Sequence, residues 1–196
     1  KKIDGDFALA ILDLEKKKLI LARDRIGKKS LYWYQGNGHF LFASRLKSLL
    51  STGVIPLTPA LDSIASYFYF GYFPQDLTPI QEVNKLLPSH YLVYHFNNSL
   101  SIDSYWSYST CFEKETTKHP NLIVQDIKRE LERAVLKRIP DDKETLACYL
   151  AGGLGSASTA CTVAEEAQDR LIACSVGFKG ENEEDIAAAH LAAEEF

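Results

Sequence analysis

Methionine is absent from this chain, whose 196 residues begin at Lys1. Because translation normally starts with Met, we expect the sequence to be an internal fragment or a processed chain. Long apolar runs are also absent: no segment is long enough to cross a bilayer, and residues 1–6 are too polar to open a signal peptide. These absences exclude a membrane partner and favour a cytoplasmic location.

Positive charge is not in excess, with 22 Lys and Arg against 26 Asp and Glu and a formal net charge of −4. Since a general nucleic-acid-binding protein needs a basic surface to hold phosphates, this balance excludes nucleic acid as a partner. Hydrophobic residues make up 46% of the chain, which is enough for a packed core. The composition predicts one large globular domain or two small ones.

Cysteines at metal-binding or redox spacing are missing. The four cysteines are Cys111, Cys148, Cys161 and Cys174, and none forms a CxxC pair, which excludes zinc and thioredoxin-like sites. Three of the four lie in apolar segments and are expected to be small core residues. Free thiols in a domain of this size suit a reducing cytoplasm.

Other polar or aromatic clusters lack the spacing of a second site. The five histidines show no metal-ligand spacing and are expected on the surface or in hairpins. Residues 23–25 (Arg-Asp-Arg) are expected to form a buried or half-buried ion network that fixes the sheet. The aromatic residues at 67–73 are predicted to be core or a seam between domains, because no basic residues are interleaved with them.

The first half of the chain carries short apolar runs separated by polar turns, which is typical of antiparallel strands. We predict three hairpins, over residues 7–22, 31–43 and 91–102. In the second hairpin, the glycines of the turn at residues 35–38 are free to take positive φ. Short helices are predicted over residues 46–50 and 62–70.

A polar segment at residues 107–121 ends this half and is typical of a linker. The helix predicted after it, over residues 121–139, has Asn121 as its N-cap and Pro140 as its stop. Its apolar stripe runs at i+4 steps through Ile123, Ile127, Leu131 and Val135.

The remaining segments alternate between apolar runs and helical patterns. Buried strands are predicted at residues 146–150 and 171–177, and helices at residues 156–168 and 183–196. Strand, helix, strand and helix at this spacing are typical of a parallel sheet. The sequence therefore predicts an α+β fold followed by an α/β fold.

A glycine loop follows the first of these strands, at residues 151–156 (Ala-Gly-Gly-Leu-Gly-Ser). Such loops bind phosphate because glycines let backbone N–H groups approach the anion, and a helix N-terminus adds a favourable dipole. A Walker loop is excluded because no Lys lies nearby. A Rossmann fingerprint matches poorly, because the acidic residue that binds the ribose would fall near Cys174, and Glu181 lies too far along the chain to take that role. The pyrophosphate loop Ser-Gly-Gly-x-Asp-Ser matches at four of six positions. A tight turn that binds nothing stays an equal alternative.

A series of short motifs runs along the whole chain, at residues 5–8 (Gly-Asp-Phe-Ala), 21–32 (Leu-Ala-Arg-Asp-Arg-Ile-Gly-Lys-Lys-Ser-Leu-Tyr), 42–44, 70–74 (Phe-Gly-Tyr-Phe-Pro), 87–92, 105–106, 175–178 (Ser-Val-Gly-Phe) and 184–185. In order and spacing these motifs resemble the asparagine synthetase family. By this resemblance, the glycine loop is the pyrophosphate loop of that family.

The resemblance implies a two-domain ligase. Residues 1–110 would belong to a glutaminase domain of the Ntn-hydrolase sandwich type, residues 111–120 to a linker, and residues 121–196 to a pyrophosphate-loop, parallel-sheet synthetase domain. The first domain releases ammonia from glutamine; the second uses ATP and magnesium to adenylate the β-carboxylate of aspartate, which ammonia then attacks. The implied partners are these small molecules, and a homodimer is compatible with the resemblance.

The resemblance implies ATP contacts but assigns no catalytic residue and no metal ligand in this chain, because the family's glutaminase nucleophile and later catalytic acid match nothing here. The implied contacts are adenine packing by Leu150, backbone N–H groups of Gly152 and Gly153 to phosphate, the Ser156 hydroxyl to phosphate, and an adenine or ribose wall at Val176.

Two departures from the family pattern bear on activity. Ala151 replaces Ser and loses a hydroxyl donor, and Gly155 replaces Asp and loses a carboxylate expected to help hold magnesium. Each lost contact to a charged ligand costs about 1.5–3 kcal/mol, so together they remove roughly a thousandfold in ATP use. Three smaller departures, Ser30 for Pro, Arg45 for Glu and Ser89 for Gly, concern local geometry. Two alternatives therefore stay open: a non-catalytic family member, and a β-lactam synthetase-like amide-forming enzyme.

Overall fold

The computed structural model describes residues 3–112, 118–140, 144–167, 170–177, 180 and 183–195. The chain divides into two compact units, Lys1–Glu115 and Thr116–Phe196. Glu181, and the Phe of the motif at residues 175–178, lie outside the described residues. No helix in the described ranges combines the length and the apolar character needed to cross a bilayer.

The first unit consists of two antiparallel sheets and three short helices. In chain order its elements are β1 (Ala8–Asp13), β2 (Lys18–Arg23), β3 (Tyr32–Gly36), β4 (His39–Ala43), α1 (Leu46–Leu50), α2 (Leu61–Phe70), β5 (Val83–Lys85), β6 (His90–His95), β7 (Leu100–Ser104) and α3 (Ser109–Phe112). One sheet has the order β1-β2-β6-β7 and the other the order β4-β3-β5. The three predicted hairpins and the two predicted helices are confirmed.

The turn between β3 and β4 shows why the sequence predicted these hairpins well. Asn37 and Gly38 form a two-residue connection in which φ is 49° and 71°. A hairpin of this kind needs positive φ at both positions, which Asn and Gly adopt most readily. Local turn chemistry alone therefore sets the register that pairs Gly36 with His39.

The core of the first unit has two parts, one on each face of the three-stranded sheet. Between the two sheets lies a cluster of Leu21, Leu31, Leu86 and Leu92, against which Trp33 packs. On the other face lies a cluster of Tyr34, Leu49, Ile55 and Val83. Since Trp33 and Tyr34 are consecutive in β3, their side chains point to opposite faces, which places one aromatic ring in each cluster.

Most of the aromatic residues at 67–73 are not core, so that half of the prediction was wrong; the alternative, a seam between domains, stays a prediction. Phe68 and Tyr69 are 82% and 84% exposed, and Phe70 is 53% exposed. A helix can turn only one stripe toward the core, so consecutive aromatic residues cannot all be buried by it. The buried residue of α2 is instead Ser63.

The second unit has the predicted alternation of helices and parallel strands. Its elements are α4 (Pro120–Leu136), β8 (Leu146–Tyr149), α5 (Leu154–Ala167), β9 (Leu171–Cys174) and α6 (Glu183–Glu194). Strands β8 and β9 pair in parallel, with Leu146 opposite Leu171. The small core consists of Leu150, Ala160 and Ala189, which draws on α5 and α6 as well as the end of β8.

The start of α4 differs from the prediction. The N-cap is His119, whose ring Nδ1 accepts a hydrogen bond from the Asn121 N–H, and Pro120 is the first helical residue. Proline suits that position because its fixed φ is helical and its missing N–H would have no partner there. The predicted linker at residues 107–121 also contains a helix, α3.

Burial in the second unit is less complete than the apolar patterns predicted. Ile127, expected in the apolar stripe of α4, is 62% exposed, and Tyr149 in β8 is 76% exposed. All four cysteines are free thiols, and none is fully buried. Cys148 is partly buried and packs against the core, whereas Cys174 is exposed, so the predicted core role was wrong for Cys174. In the described part of the second unit, α5 and α6 cover one face of the two strands, whereas Tyr149 and Ile172 on the other face are exposed. Hydropathy alone does not reveal this difference between the faces.

Candidate functional site

The glycine loop joins the carboxyl end of β8 to the start of α5, which is where ligands bind in parallel sheets. Gly152 has a φ of 76°, a conformation that side chains other than glycine rarely adopt. A Cβ added to Gly152 would lie 2.2 Å from the carbonyl oxygen of Asp185 in the first turn of α6. Glycine is therefore required at this position by both conformation and space.

Helix α5 begins at Leu154, two residues earlier than predicted, so Gly155 and Ser156 belong to its first turn. Among the described residues, no acceptor receives the N–H groups of Leu154, Gly155 and Ser156. Together with the positive end of the helix dipole, three such donors suit an oxyanion. They are backbone groups, so replacing Asp with Gly at position 155 does not remove them.

The Ser156 hydroxyl is engaged within the loop itself. Its oxygen accepts a hydrogen bond from the Ala151 N–H at 3.1 Å, and the hydroxyl donates to the Gly153 carbonyl at 2.9 Å. These bonds hold the two ends of the loop together. The hydroxyl can donate to a phosphate only by giving up its bond to Gly153, so the predicted phosphate contact competes with a structural one.

Leu150 lies at the base of the loop and is 1% exposed. Its N–H donates to the Cys174 carbonyl at 2.9 Å, and its carbonyl accepts from the Ser175 hydroxyl at 2.6 Å. A cavity of about 350 Å³ opens beside it, lined also by Ser175, Gly177, Ile186 and His190. This volume lies at the lower end of the range for small-molecule sites.

The structure brings together some of the predicted ATP residues and not others. Leu150 lines the cavity next to the loop, whereas Val176 is 69% exposed and is not part of the cavity lining. The sequence reasoning missed Ile186 and His190. Their four-residue spacing puts them on one face of α6, but nothing in the sequence indicates which face meets the loop.

The donor groups of this site do not fit a magnesium ion held by protein side chains. The loop offers backbone N–H groups and one hydroxyl, and Gly155 supplies no carboxylate. In the described ranges, no group of three or more His, Cys, Asp or Glu side chains could hold a metal ion. Since magnesium prefers carboxylate and phosphate oxygens, the loop suits the phosphates themselves better than their cation.

In the first unit, the predicted ion network of residues 23–25 is a set of side-chain bonds to the backbone. The Arg23 guanidinium is 9% exposed and donates to three carbonyls, those of Lys29 at 2.7 Å, Leu86 at 2.6 Å and Gly27 at 2.6 Å. The Arg23 carbonyl accepts from the Tyr105 hydroxyl at 2.6 Å. Arg25 is exposed, and its guanidinium lies 5.9 Å from the ring centroid of Trp106.

Asp24 is 2% exposed and organises the loop that follows it. Its carboxylate accepts from the N–H groups of Ile26 at 3.2 Å, Lys28 at 3.0 Å and Lys29 at 3.0 Å. Burial raises the pKa of Asp24, but these backbone N–H groups outweigh burial and bring the pKa below its usual value. Arg23 and Asp24 therefore fix the loop at residues 25–29 and are not placed to react with a substrate.

Comparison with known proteins relates both halves of the chain to one family. Residues 1–106 match the family model of a glutamine amidotransferase domain, and residues 126–196 match that of asparagine synthase. Amidase chyE of Penicillium rubens is 32% identical over 82% of this chain and 23% of its own length. Putative asparagine synthetase [glutamine-hydrolyzing] 2 of Methanocaldococcus jannaschii is 28% identical over 94% of this chain and 36% of its own length.

The human asparagine synthetase [glutamine-hydrolyzing] is 24% identical over 87% of this chain and 29% of its own length. The chain thus spans between 23% and 36% of the length of these three relatives. The amidotransferase model alone covers more than half of the 196 residues. The chain belongs to the glutamine-hydrolysing asparagine synthetase family.

Proposed function

We propose that this chain acts in the ATP-dependent amidation of aspartate to asparagine, with ammonia released from glutamine. The observation that carries the proposal is the glycine loop at the carboxyl end of β8, where three N–H groups of the first turn of α5 have no acceptor among the described residues. The loop lies in the half of the chain that matches asparagine synthase. A nucleotide phosphate is the ligand that such donors suit best.

We propose that the two units belong to domains that carry out different steps of the reaction. Residues 1–110 are proposed to belong to a glutaminase domain of the Ntn-hydrolase sandwich type, which the shared core between two antiparallel sheets supports. Residues 121–196 are proposed to belong to a pyrophosphate-loop domain, which the parallel pair β8 and β9 supports. Residues 111–120 are proposed to link them. We further propose that the protein is cytoplasmic and forms a homodimer.

The chemistry requires activation because a carboxylate is a poor electrophile. Transfer of AMP from ATP to the β-carboxylate of aspartate releases pyrophosphate and creates a good leaving group, which ammonia displaces. Within this chain, the first turn of α5 would bind phosphate oxygens through its backbone. Gly152 lets the loop pack closely against α6, and the cavity beside Leu150 would accept the adenine end. Magnesium would be bound through the phosphates, since the loop offers it no carboxylate.

Restoring the family's side chains tests the proposal. In the double variant Ala151→Ser and Gly155→Asp, ATP affinity measured by calorimetry in the presence of magnesium is expected to rise by roughly a thousandfold. Position 155 is open, since nothing lies within 4 Å of a Cβ added there, so a side chain fits. Gly153→Asp is the contrasting variant: its Cβ also meets open space, but it puts a carboxylate on a residue whose N–H is expected to bind phosphate, so ATP affinity should not rise. No ATP binding by either the chain or the double variant would refute the proposal.

A second candidate function is a non-catalytic role of the same fold in assembly or regulation. It is favoured by Ala151 and Gly155, and by the Ser156 hydroxyl, which bonds the loop itself. This candidate predicts that the double variant gains no ATP affinity. The third candidate, formation of a different amide, is favoured by the relatives named amidases. Pyrophosphate release by the full-length protein that depends on an acid other than aspartate would support it.

A further inference from the structure

The first unit contains a cavity that the proposed function does not use. Its volume is about 460 Å³, which is within the range of small-molecule sites. It lies where the end of α2 and the segment after it meet β3 and β5, and its walls include Tyr32, Tyr67, Tyr72, Leu77 and Lys85. All of these residues belong to the first unit, so the cavity is complete without the second.

Among the described residues, Lys85 is the one Lys or Arg in the lining of this cavity, and its side chain is half-buried. One of its three N–H groups donates to the Phe73 carbonyl. Among the described residues no carboxylate lies within 4.0 Å of its ammonium group, although Asp76 is near enough to act on it electrostatically. The other two N–H donors of this partly desolvated cation have no acceptor among the described residues.

The electrostatics of Lys85 favour an anion at this place. Burial lowers the pKa of Lys85, the charge of Arg23 lowers it further, and Asp76 opposes both. Burial and a neighbouring cation both make the charged form of lysine costly, and an anion bound beside the ammonium group would offset that cost. The cavity therefore has a cationic end at which Asp76 offsets the effects of burial and of Arg23 only in part.

The rest of the wall is aromatic and apolar. The rings of Tyr67 and Phe73 stack with their centroids 5.0 Å apart, and Tyr72 is 60% exposed at the cavity mouth. Tyrosine rings offer flat apolar contact together with a hydroxyl that can stay hydrated. Such walls suit a flat ring better than a flexible chain.

We propose that this cavity binds a small aromatic anion, with its carboxylate or sulfonate on Lys85 and its ring against the aromatic wall that includes Tyr67 and Tyr72. The cation at one end and the aromatic wall at the other define this class of ligand. The residues of this site belong to the first unit, and those of the glycine loop belong to the second.

Two dyes test the two halves of the proposal in the 196-residue chain. The anion 8-anilinonaphthalene-1-sulfonate becomes fluorescent when it binds an apolar site, and N-phenyl-1-naphthylamine has the same rings without the sulfonate. Lys85→Gln is expected to weaken the anionic dye about tenfold or more and to leave the neutral dye within about twofold. Lys16→Gln, on the exposed turn between β1 and β2, is the matched control and is expected to change neither.

Tyr72→Ala and Tyr69→Ala separate the cavity from the exposed aromatic residues around it. Tyr72 lines the cavity and Tyr69 does not, and both are exposed enough to be replaced without unfolding the chain. Loss of both dyes in Tyr72→Ala, with binding kept in Tyr69→Ala, is the expected result. Equal dye binding by the parent chain, Lys85→Gln and Tyr72→Ala would overturn the proposal, as would absence of binding by the parent chain. If Lys85→Gln fails to fold, the difference in dye binding between Tyr72→Ala and Tyr69→Ala tests whether the cavity is the binding site.

Discussion

Gly152 and Asp185 meet through their backbones: a Cβ on Gly152 would lie 2.2 Å from the Asp185 carbonyl oxygen. The glycine loop is therefore shaped by the first turn of α6 as well as by its own sequence. The carbonyl belongs to a helix and cannot move aside as a flexible side chain would. Any side chain at position 152 must displace either the loop or α6.

Gly152→Ala is expected to destabilise the second unit by at least about 2 kcal/mol, because the clash adds to the strain of a positive φ. Urea unfolding followed by far-ultraviolet circular dichroism measures this. Gly153→Ala is the control, since its Cβ meets nothing within 4 Å and its φ is not positive. Equal stability of the two variants would contradict the steric account of the loop.

Asp24→Asn is expected to change how stability depends on acid. The folded-state pKa of Asp24 lies below its unfolded value, so its contribution is fully present above the unfolded pKa of about 3.9 and is lost as pH falls through the folded value. At pH 7 the variant should lose about 1–3 kcal/mol, and the difference from the parent should shrink as pH falls below about 4. Urea unfolding by tryptophan fluorescence across this range measures it. A constant difference at every pH would show that Asp24 acts by shape alone.

Ser89 combines a φ of 63° with a buried hydroxyl that donates to the Arg25 carbonyl at 2.8 Å. Ser89→Ala keeps the strain and loses the hydrogen bond, so a loss of about 1–2 kcal/mol is expected. Ser89→Gly loses the same bond but relieves about 1 kcal/mol of strain, so it should stay closer to the parent chain. Thermal unfolding of the three proteins ranks them. The rank order parent, Gly, Ala is the expected one, and a Gly variant less stable than the Ala variant would refute it.

The elements that the sequence predicted best are those set by neighbouring residues. The hairpin at Asn37 and Gly38 needs only the φ preferences of two residues, and the helix at residues 46–50 needs only a short apolar pattern. The aromatic run at residues 67–73 was misjudged because hydropathy does not show which stripe of a helix meets the core. The same limit applies to Cys174, which lies in an apolar strand on an open sheet face.

The site was predictable in part for the same reason. A predicted strand followed directly by Gly152 and Gly153 located the loop. Helix α5, however, begins at Leu154, two residues before the predicted start. Charge types at residues 23–25 suggested an ion network, whereas the Arg23 guanidinium is bound by the carbonyl of Leu86, 63 residues further along the chain. A partner at that distance is set by the sheet order, which residue types alone do not reveal.

The bonds of Arg23 also constrain the order of events during synthesis. The guanidinium can donate to the Leu86 carbonyl only after Leu86 has been synthesised. The Arg23 carbonyl can accept from the Tyr105 hydroxyl only after Tyr105 has been synthesised, 82 residues later. Because long-range contacts form only after a large loop has closed, β1 and β2 emerge from the ribosome as a hairpin that cannot yet bury this arginine. The nascent first unit therefore completes its fold only when β6 and β7 have been translated, so a pause in translation before His90 would leave the hairpin without the strands that extend its sheet.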